Sequence, residues 1–477
     1  MTPVPIPFPA TSAPGREPQD TAGRLINCYA EREAGPAGDR LVWHRAPGLT
    51  QVANPAGRVN CRGLFAGPAG TLFAAYNNRL LTFTKSGGIF TGVDRGVFSG
   101  TLPVTIARNN KAPTPDIVAV TEDGAFNLFI GSNPTSFADA DLPVPNSVSF
   151  FSGYFIFTIR DGRIFASGLN DVTVDALSFT RADFRADDLL RGVAFGDQFF
   201  AFGASSIQVY RDVGTSPFPL SFVGAIPRGL ASQFAVAGFE EGWSNELLWV
   251  GDDRIVYKLS GITPQPVSTL SVNRDLEALV DPTELRASVY MSGGHAFWSL
   301  SCNAWTWVYD LTNDAWHERQ SYGRTRWRGA SSVRFDNQWI VGDDLTGELY
   351  TVSIDNQREH LSPLVSVIES DRAAAFPARA VVPRTDFNFT AGVGISDGLD
   401  PIQTAPRASI SYSNDGGATW SDPVLREIGR GGEYGRRASV TRTGLTGPYG
   451  RKWRVSISDP VPLSFRGGVM MREGRAS

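Results

Sequence analysis

Short apolar runs, rich in β-branched and aromatic residues, recur along the chain between Gly, Asn and Asp. Leu80-Leu81-Thr82-Phe83, Phe155-Ile156-Phe157-Thr158-Ile159, Ile207-Gln208-Val209-Tyr210 and Leu247-Leu248-Trp249-Val250 are of this kind, and each predicts a strand. Helical periodicity is scarce. The best helix start is Asp281-Pro282-Thr283-Glu284, a capping residue, a first-turn proline and a reciprocating glutamate, leading into Leu285 and Arg286.

The strand signals repeat. Turn-then-strand units occur at Asn77-Asn78, Asp123-Gly124, Asp161-Gly162, Ser205-Ser206, Asp252-Asp253 and Thr346-Gly347. Their second turn residues are 46, 38, 44, 47 and 94 positions apart, the last being a double step. The skipped unit falls at Trp305-Thr306-Trp307-Val308-Tyr309-Asp310. A period of about 40–47 residues made of four short strands predicts a β-propeller. One small sheet cannot bury both faces, whereas a closed ring of such sheets can. Stacked sandwiches are the competing arrangement. Val308 to Trp316 favours the ring, because it has the look of a kelch-type hairpin with Tyr-Asp before the turn and Trp after it.

The period breaks at Asp371-Arg372, Ala373-Ala374-Ala375 and Pro377. New alternating strands follow at Arg407–Tyr412, Trp453–Ser458 and Leu463–Phe465. The expected organisation is therefore all-β: an extended Pro-rich arm over 1–20, a propeller of six or seven blades over 21–370, and a C-terminal β-sandwich over 371–477. Pro3, Pro5, Pro7, Pro9 and Pro14 exclude a helical signal core and favour polyproline geometry. Fourteen such residues reach ~40 Å at ~3.1 Å each. That start reads either as a disordered tail or as an arm docking on a neighbouring subunit.

Composition narrows the function. The chain has 477 residues, 42% apolar and 19% charged, with 50 Gly and 31 Pro, which is globular and turn-rich. Net charge is −4, but residues 371–477 carry 15 Lys+Arg against 10 Asp+Glu, so the body before them stands at −9. An acidic body with a basic end argues against gripping DNA over the whole surface and suits assembly through complementary surfaces, or a wall that DNA slides past. Cys28, Cys61 and Cys302 are widely spaced and form no disulfide framework. His44, His295, His317 and His360 show no metal-binding spacing. The best apolar run, Phe150 to Ile159, is too short to span a membrane.

Two local features stand out. Ser413-Asn414-Asp415-Gly416-Gly417-Ala418-Thr419-Trp420 fits the Asp-box pattern through Ser413, Asp415, Gly417, Thr419 and Trp420. This predicts a tight hairpin with structural chemistry only. Asp-boxes are best known in sialidases, but the arginine triad, Tyr–Glu pair and acid Asp of that chemistry cannot be assembled here. The second feature is basic: Arg426, Arg430, Arg436, Arg437, Arg442, Arg451, Lys452 and Arg454 lie close together. The stretch reads as a protein–protein docking face, with Arg436, Arg437, Arg451 and Arg454 as its candidates, or as a contact with nucleic acid, against the plain alternative of a solvated strand-and-loop face. The carboxylate pairs Asp187-Asp188, Asp252-Asp253 and Asp343-Asp344 read as turn residues beside strands.

Arg24-Leu25-Ile26-Asn27-Cys28-Tyr29-Ala30-Glu31 and Arg45-Ala46-Pro47-Gly48-Leu49 resemble the opening of the packaged-DNA stabilisation, or tail hub (nozzle), proteins of short-tailed phages (podoviruses). Gly203–Tyr210, the run from Trp316 through Gly342–Tyr350, the hairpin at 409–420 and the close at Trp453–Val469 are similar to later blocks of that family. The resemblance covers almost the whole chain as an ordered series. It implies a structural virion protein with no catalytic residues to carry over, and no cofactor is expected. It further implies a homo-hexameric hub in the virion tail, assembled in the host cytoplasm. That ring would meet the portal-adaptor (head-to-tail connector) protein above and a tail fibre or spike at its flank. A tail needle or plug would close the bore, and genomic DNA would pass through the lumen without sequence-specific binding. Two other classes stay beside it: a sialidase-like tail enzyme, which needs a carboxylate/Arg pocket in the propeller centre, and a carbohydrate-binding adhesin.

Overall fold

Each turn read from the sequence lies in the hairpin between the second and third consecutive strands of its sheet. The computed structural model describes residues 2–35, 40–373, 378–395 and 400–474. Six sheets follow in chain order as blades 1 to 6, at 63–97, 105–136, 147–181, 189–226, 236–266 and 286–318. The skipped repeat unit is blade 6, whose central hairpin joins His295–Ser301 to Thr306–Asp310. Blade 7 has only three consecutive strands, Gly329–Phe335, Gln338–Asp343 and Leu349–Ser353. Its fourth is Gly48–Ala53, paired antiparallel so that Leu49 faces Val352. The propeller thus has seven blades, and strands from the two ends of its sequence lock the ring.

Closure depends on fit. A Cβ on Gly48 would lie 2.1 Å from the Asn356 carbonyl oxygen, so only glycine lets the closing strand enter. Blade 7 joins blade 1 through the Cys61 N–H, which donates to the Asp343 carbonyl at 2.9 Å. The largest core gathers around blades 4 to 7 and buries Trp249, Trp298, Trp307, Trp316 and Trp327. Trp316 is the kelch-like tryptophan; its indole N–H donates to the Val267 carbonyl of blade 5's trailing segment at 2.8 Å.

The second unit is a two-sheet sandwich. One sheet contains Thr2–Pro5, Cys28–Glu33, Arg40–Arg45, Ala380–Phe389, Ala438–Thr441 and Ser464–Gly474. The other contains Arg24–Ile26, Ser366–Glu369, Arg407–Ser413, Val424–Glu427 and Lys452–Ile457. Their inner faces bury Leu25, Trp43, Ile368, Phe387, Trp453 and Phe465 together. A parallel bridge, Ile26 to Glu318, continues the second sheet into blade 6.

This corrects the expected boundaries. Strands from residues 2–45 complete the sandwich rather than forming an arm over 1–20 and the start of the propeller. Ala374, Ala375 and Pro377 lie outside the described residues. The proline alternation has a different cause from a polyproline rod. Thr2–Pro5 pairs with Val469–Arg472, and the Ile6 N–H donates to the Gly468 carbonyl at 2.9 Å. The N–H groups of the even-numbered residues therefore point to the partner strand, and the nitrogens of Pro3 and Pro5 point outward. An edge lacking N–H donors resists pairing with another chain.

The expected helix at Asp281 is a single 3-10 turn, Pro282–Glu284, capped by the Asp281 side chain. The strand Arg286–Ser292 follows at once and ends it. The longest helix, Leu270–Ala278, sits between blades 5 and 6, where Asp275 accepts the Trp307 indole N–H at 2.8 Å. Among the described residues, no helix is long and apolar enough to cross a membrane.

Candidate functional site

The innermost strands of the blades surround a cavity of about 830 Å³. Six arginines line it, Arg62, Arg108, Arg191, Arg286, Arg326 and Arg334, against four carboxylates, Glu240, Glu241, Glu284 and Asp344. The cavity wall is thus cationic within an acidic body.

The local roles differ. Arg62 donates to the carbonyls of Tyr76, Leu102, Phe98 and Ser99 at 2.7–3.0 Å, so it ties blade 1 to the loop entering blade 2. Asp344 is held bidentately by Arg324 at 2.5–2.6 Å and approached by Arg326 at 3.4 Å. Arg191 and Arg286 each place a guanidinium 5.4 Å from the Phe234 ring centre, and Arg191 also lies 5.0 Å from Phe239. Burial pushes both guanidiniums down to about 10, against the pull of nearby glutamates. Burial likewise raises the Glu240 carboxyl, opposed by the Gly238 N–H that donates to it at 2.7 Å.

A sialidase-like reading expects acids and arginines at this place. Both are present, but Arg62 is saturated by backbone carbonyls and Asp344 by arginines. No tyrosine is among the described lining residues, so the Tyr–Glu pair of that chemistry has no counterpart.

The paired aspartates hold turns. Asp187 accepts from the Ser205 N–H and hydroxyl, the latter at 2.6 Å. Asp252 accepts from the Gly229 N–H at 2.9 Å. Asp343, fully buried, accepts from the Leu345 and Thr346 N–H groups and from Arg328. Among the described residues, no group of three or more His, Cys, Asp or Glu is arranged to hold a metal ion.

The Asp-box residues adopt the expected hairpin chemistry. Ser413 donates to Asp415 at 2.7 Å and accepts from the Gly417 N–H at 2.7 Å. Asp415 accepts from the Thr419 N–H at 2.9 Å and from its hydroxyl, and these bonds hold its carboxyl well below the usual range. Trp420 is half-buried, and the Arg454 guanidinium stacks 3.9 Å from its ring centre.

The four candidate docking arginines do not share one role. Arg451 is fully buried, and this corrects its place on a face. It donates to Asn414, to the Thr443 hydroxyl and carbonyl, and to the Leu445 carbonyl, and lies 4.3 Å from the Tyr412 ring centre. Arg454 pairs with Glu369 at 2.7 Å. Arg436 is exposed and pairs with Glu427, and Arg437 is exposed beside it.

One cluster has no sequence signal. Three of the four histidines gather around Tyr29 at the junction of sandwich and propeller: His295, His44 and His317 lie 4.7, 6.0 and 6.2 Å from its ring centre. His295 bonds Asp310 at 2.9 Å, and Glu31 sits 3.4 Å from His44 and 3.7 Å from His295. Spacing could not show this, because the residues come from two units of the fold.

A family model described as the β-propeller of bacteriophage P22 Gp10 matches residues 40–357. The chain belongs to this family. The match starts just before the closing strand at 48–53 and ends just after blade 7, so it spans the ring now described. The family is one of structural phage tail proteins, which makes this chain a structural component of a virion.

No curated protein sequence matches the chain. Solved propellers similar to it include the WD40 domain of Doa1, at 10% identity and a TM-score of 0.42, covering 64% of this chain and 97% of that one. Raptor from Chaetomium thermophilum matches at 14% identity and 0.43, covering 65% and 29%. The Cps50 (Swd1) propeller of Myceliophteria thermophila matches at 9% and 0.43, covering 64% and 99%.

Proposed function

We propose that the chain is the hub, or nozzle, subunit of a short-tailed phage, acting without catalysis. Six copies form a ring below the portal-adaptor, retain the packaged genome and then conduct it. The family match over the propeller carries this reading. The fold supports it: a closed ring of blades is a rigid block with its edges protected. The genome route in this reading is the lumen between six propellers, since a cavity of about 830 Å³ inside one propeller is far too small for a duplex. The acidic body suits that lumen, because like charge keeps DNA moving.

In the same reading, the adaptor, a tail fibre or spike, and a needle or plug occupy the outer faces, and assembly takes place in the host cytoplasm. Of the basic residues, Arg436 and Arg437 are the docking candidates, being exposed on a loop.

The test is reconstitution. The purified chain mixed with its portal-adaptor complex forms a sixfold ring by electron microscopy. A chain that stays monomeric in that mixture refutes the hub role. The carbohydrate-binding alternative predicts saturable, salt-independent signals on a glycan array, which a hub does not give.

A further inference from the structure

The sandwich sheet continues blade 6 and covers its outermost strand with Arg24–Ile26. In a ring of seven, blade 3 is the blade farthest from blades 6 and 7 together, three steps from each. Its outermost strand, Val174–Arg181, pairs with Arg163–Ser167 on one side and has no strand neighbour on the other among the described residues. Leu177 on that strand is 69% exposed, and Leu169 just before it is 64% exposed. Carboxylates stand beside them. Asp175 is on the strand and Asp171 precedes it. The Val174 N–H donates to Asp139 at 2.9 Å, and the Asp141 N–H donates to the same carboxylate at 3.0 Å, which brings residues 139–141 against the start of the strand. Among the described residues, none of these four aspartates has a cation within ion-pair distance. Lys111, whose charge acts on Asp171, pairs with Asp116 at 3.3 Å, and the strand's one cation, Arg181, is at its far end.

The opposite end of the molecule carries the reverse charge. The sheet that starts from blade 6 ends at the edge strand Val424–Glu427, five strands beyond the blade. The loop 428–437 follows it and exposes Arg430, Tyr434, Arg436 and Arg437, with Tyr434 79% exposed. Arg430 faces Glu433 at 3.7 Å and Arg436 pairs with Glu427, whereas Arg437 has no ion-pair partner among the described residues. Residues 426–442 hold five arginines against these two glutamates, so the excess is positive.

An exposed apolar patch rimmed by charge marks an interaction surface, and complementary potentials select its partner. The two patches cannot meet within one chain, because they lie at its opposite ends. Two unlike, complementary patches so placed are what a head-to-tail contact between copies requires, and such contacts close into rings. We propose that the loop 428–437 of one copy docks on the blade 3 rim of the next copy. This rests on the hub reading and supplies its ring with an interface.

Charge reversal tests it in the mixture with the portal-adaptor complex, with rings counted by electron microscopy. One chain carries Arg436→Glu with Arg437→Glu, the other Asp141→Arg with Asp175→Arg. Each alone gives about tenfold fewer rings than wild type. Mixed in equal amounts, the two restore rings: the acidic loop of the first fits the basic rim of the second, and the unchanged loop and rim fit each other. Normal rings from either reversed chain alone overturn the proposal, and so does a mixture that restores none. Unchanged thermal unfolding midpoints show that the reversed chains fold; Arg437→Glu and Asp141→Arg singly replace a double change that does not. A wild type that makes no ring defeats the hub reading instead. The contact is then decided by sedimentation of the two reversed chains together, which associate if it exists and stay apart if it does not.

Discussion

Arg319 and Glu359 form an ion pair at 3.7 Å in which both side chains are sealed from solvent. Arg319 also donates to the Tyr290 hydroxyl at 2.7 Å and to the Pro47 carbonyl, and lies 4.1 Å from the Trp327 ring centre. Glu359 bridges Leu49 on the closing strand. The pair therefore ties blades 6 and 7 to the strand that locks the ring. Burial raises the Glu359 carboxyl, and Arg319 opposes that rise.

Removing one partner leaves a buried charge alone. Glu359→Ala is expected to lower stability by about 3–5 kcal/mol, read from denaturant unfolding. The double change Arg319→Met with Glu359→Leu recovers much of that loss, because no unpaired charge remains. A Glu359→Ala loss below about 1 kcal/mol would show that the pair does not hold the closure.

The histidines at Tyr29 set a pH dependence with two opposing signs. Burial pushes His317 down to about 3, and its Nε2 has no hydrogen-bond partner. The unfolded chain then binds the extra proton below its ordinary value of about 6.5, so stability falls as pH drops from there. At pH 5 this amounts to about 2 kcal/mol. His44, lowered chiefly by burial, acts in the same direction. His295 acts in the other. Burial lowers it, but Asp310 and then Glu31 leave it raised overall. Its contribution is present below the unfolded value and is lost as pH rises through the folded one. Unfolding midpoints from pH 4 to 8 check this: His317→Phe flattens the acid slope, and an unchanged slope refutes the assignment.

Two arginines of the basic stretch behave differently. Arg451→Ala leaves the Thr443 and Leu445 carbonyls and Asn414 without their donor inside the sandwich. It is expected to cost about 2–4 kcal/mol. Arg437→Ala, on the exposed loop, changes stability by less than about 0.5 kcal/mol. Thermal unfolding of the two variants separates them, and near-equal midpoints contradict the buried role of Arg451.

The repeat was legible because turn chemistry is local. Asn77-Asn78, Asp161-Gly162 and Asp252-Asp253 mark hairpins wherever the strands later pack. The Asp-box was legible for the same reason, since Ser413, Asp415 and Thr419 bond within one turn. Arg451 was misread because a charge count does not say which way a side chain points. It stands just before Lys452–Ile457 and faces the interior, while Arg454, three residues on, reaches Glu369 and Trp420.

By itself, the sequence determined an all-β chain, a repeat of small sheets and a separate alternating C-terminal part. Period and turn residues act over a few positions and need no partner to be read. Only the tertiary structure decided that Gly48–Ala53 completes blade 7, that residues 2–45 belong with the sandwich, and that Arg191 and Arg286 each lie against Phe234. Those facts depend on which distant strands pair and how the ring closes, and no local pattern encodes the choice of a partner.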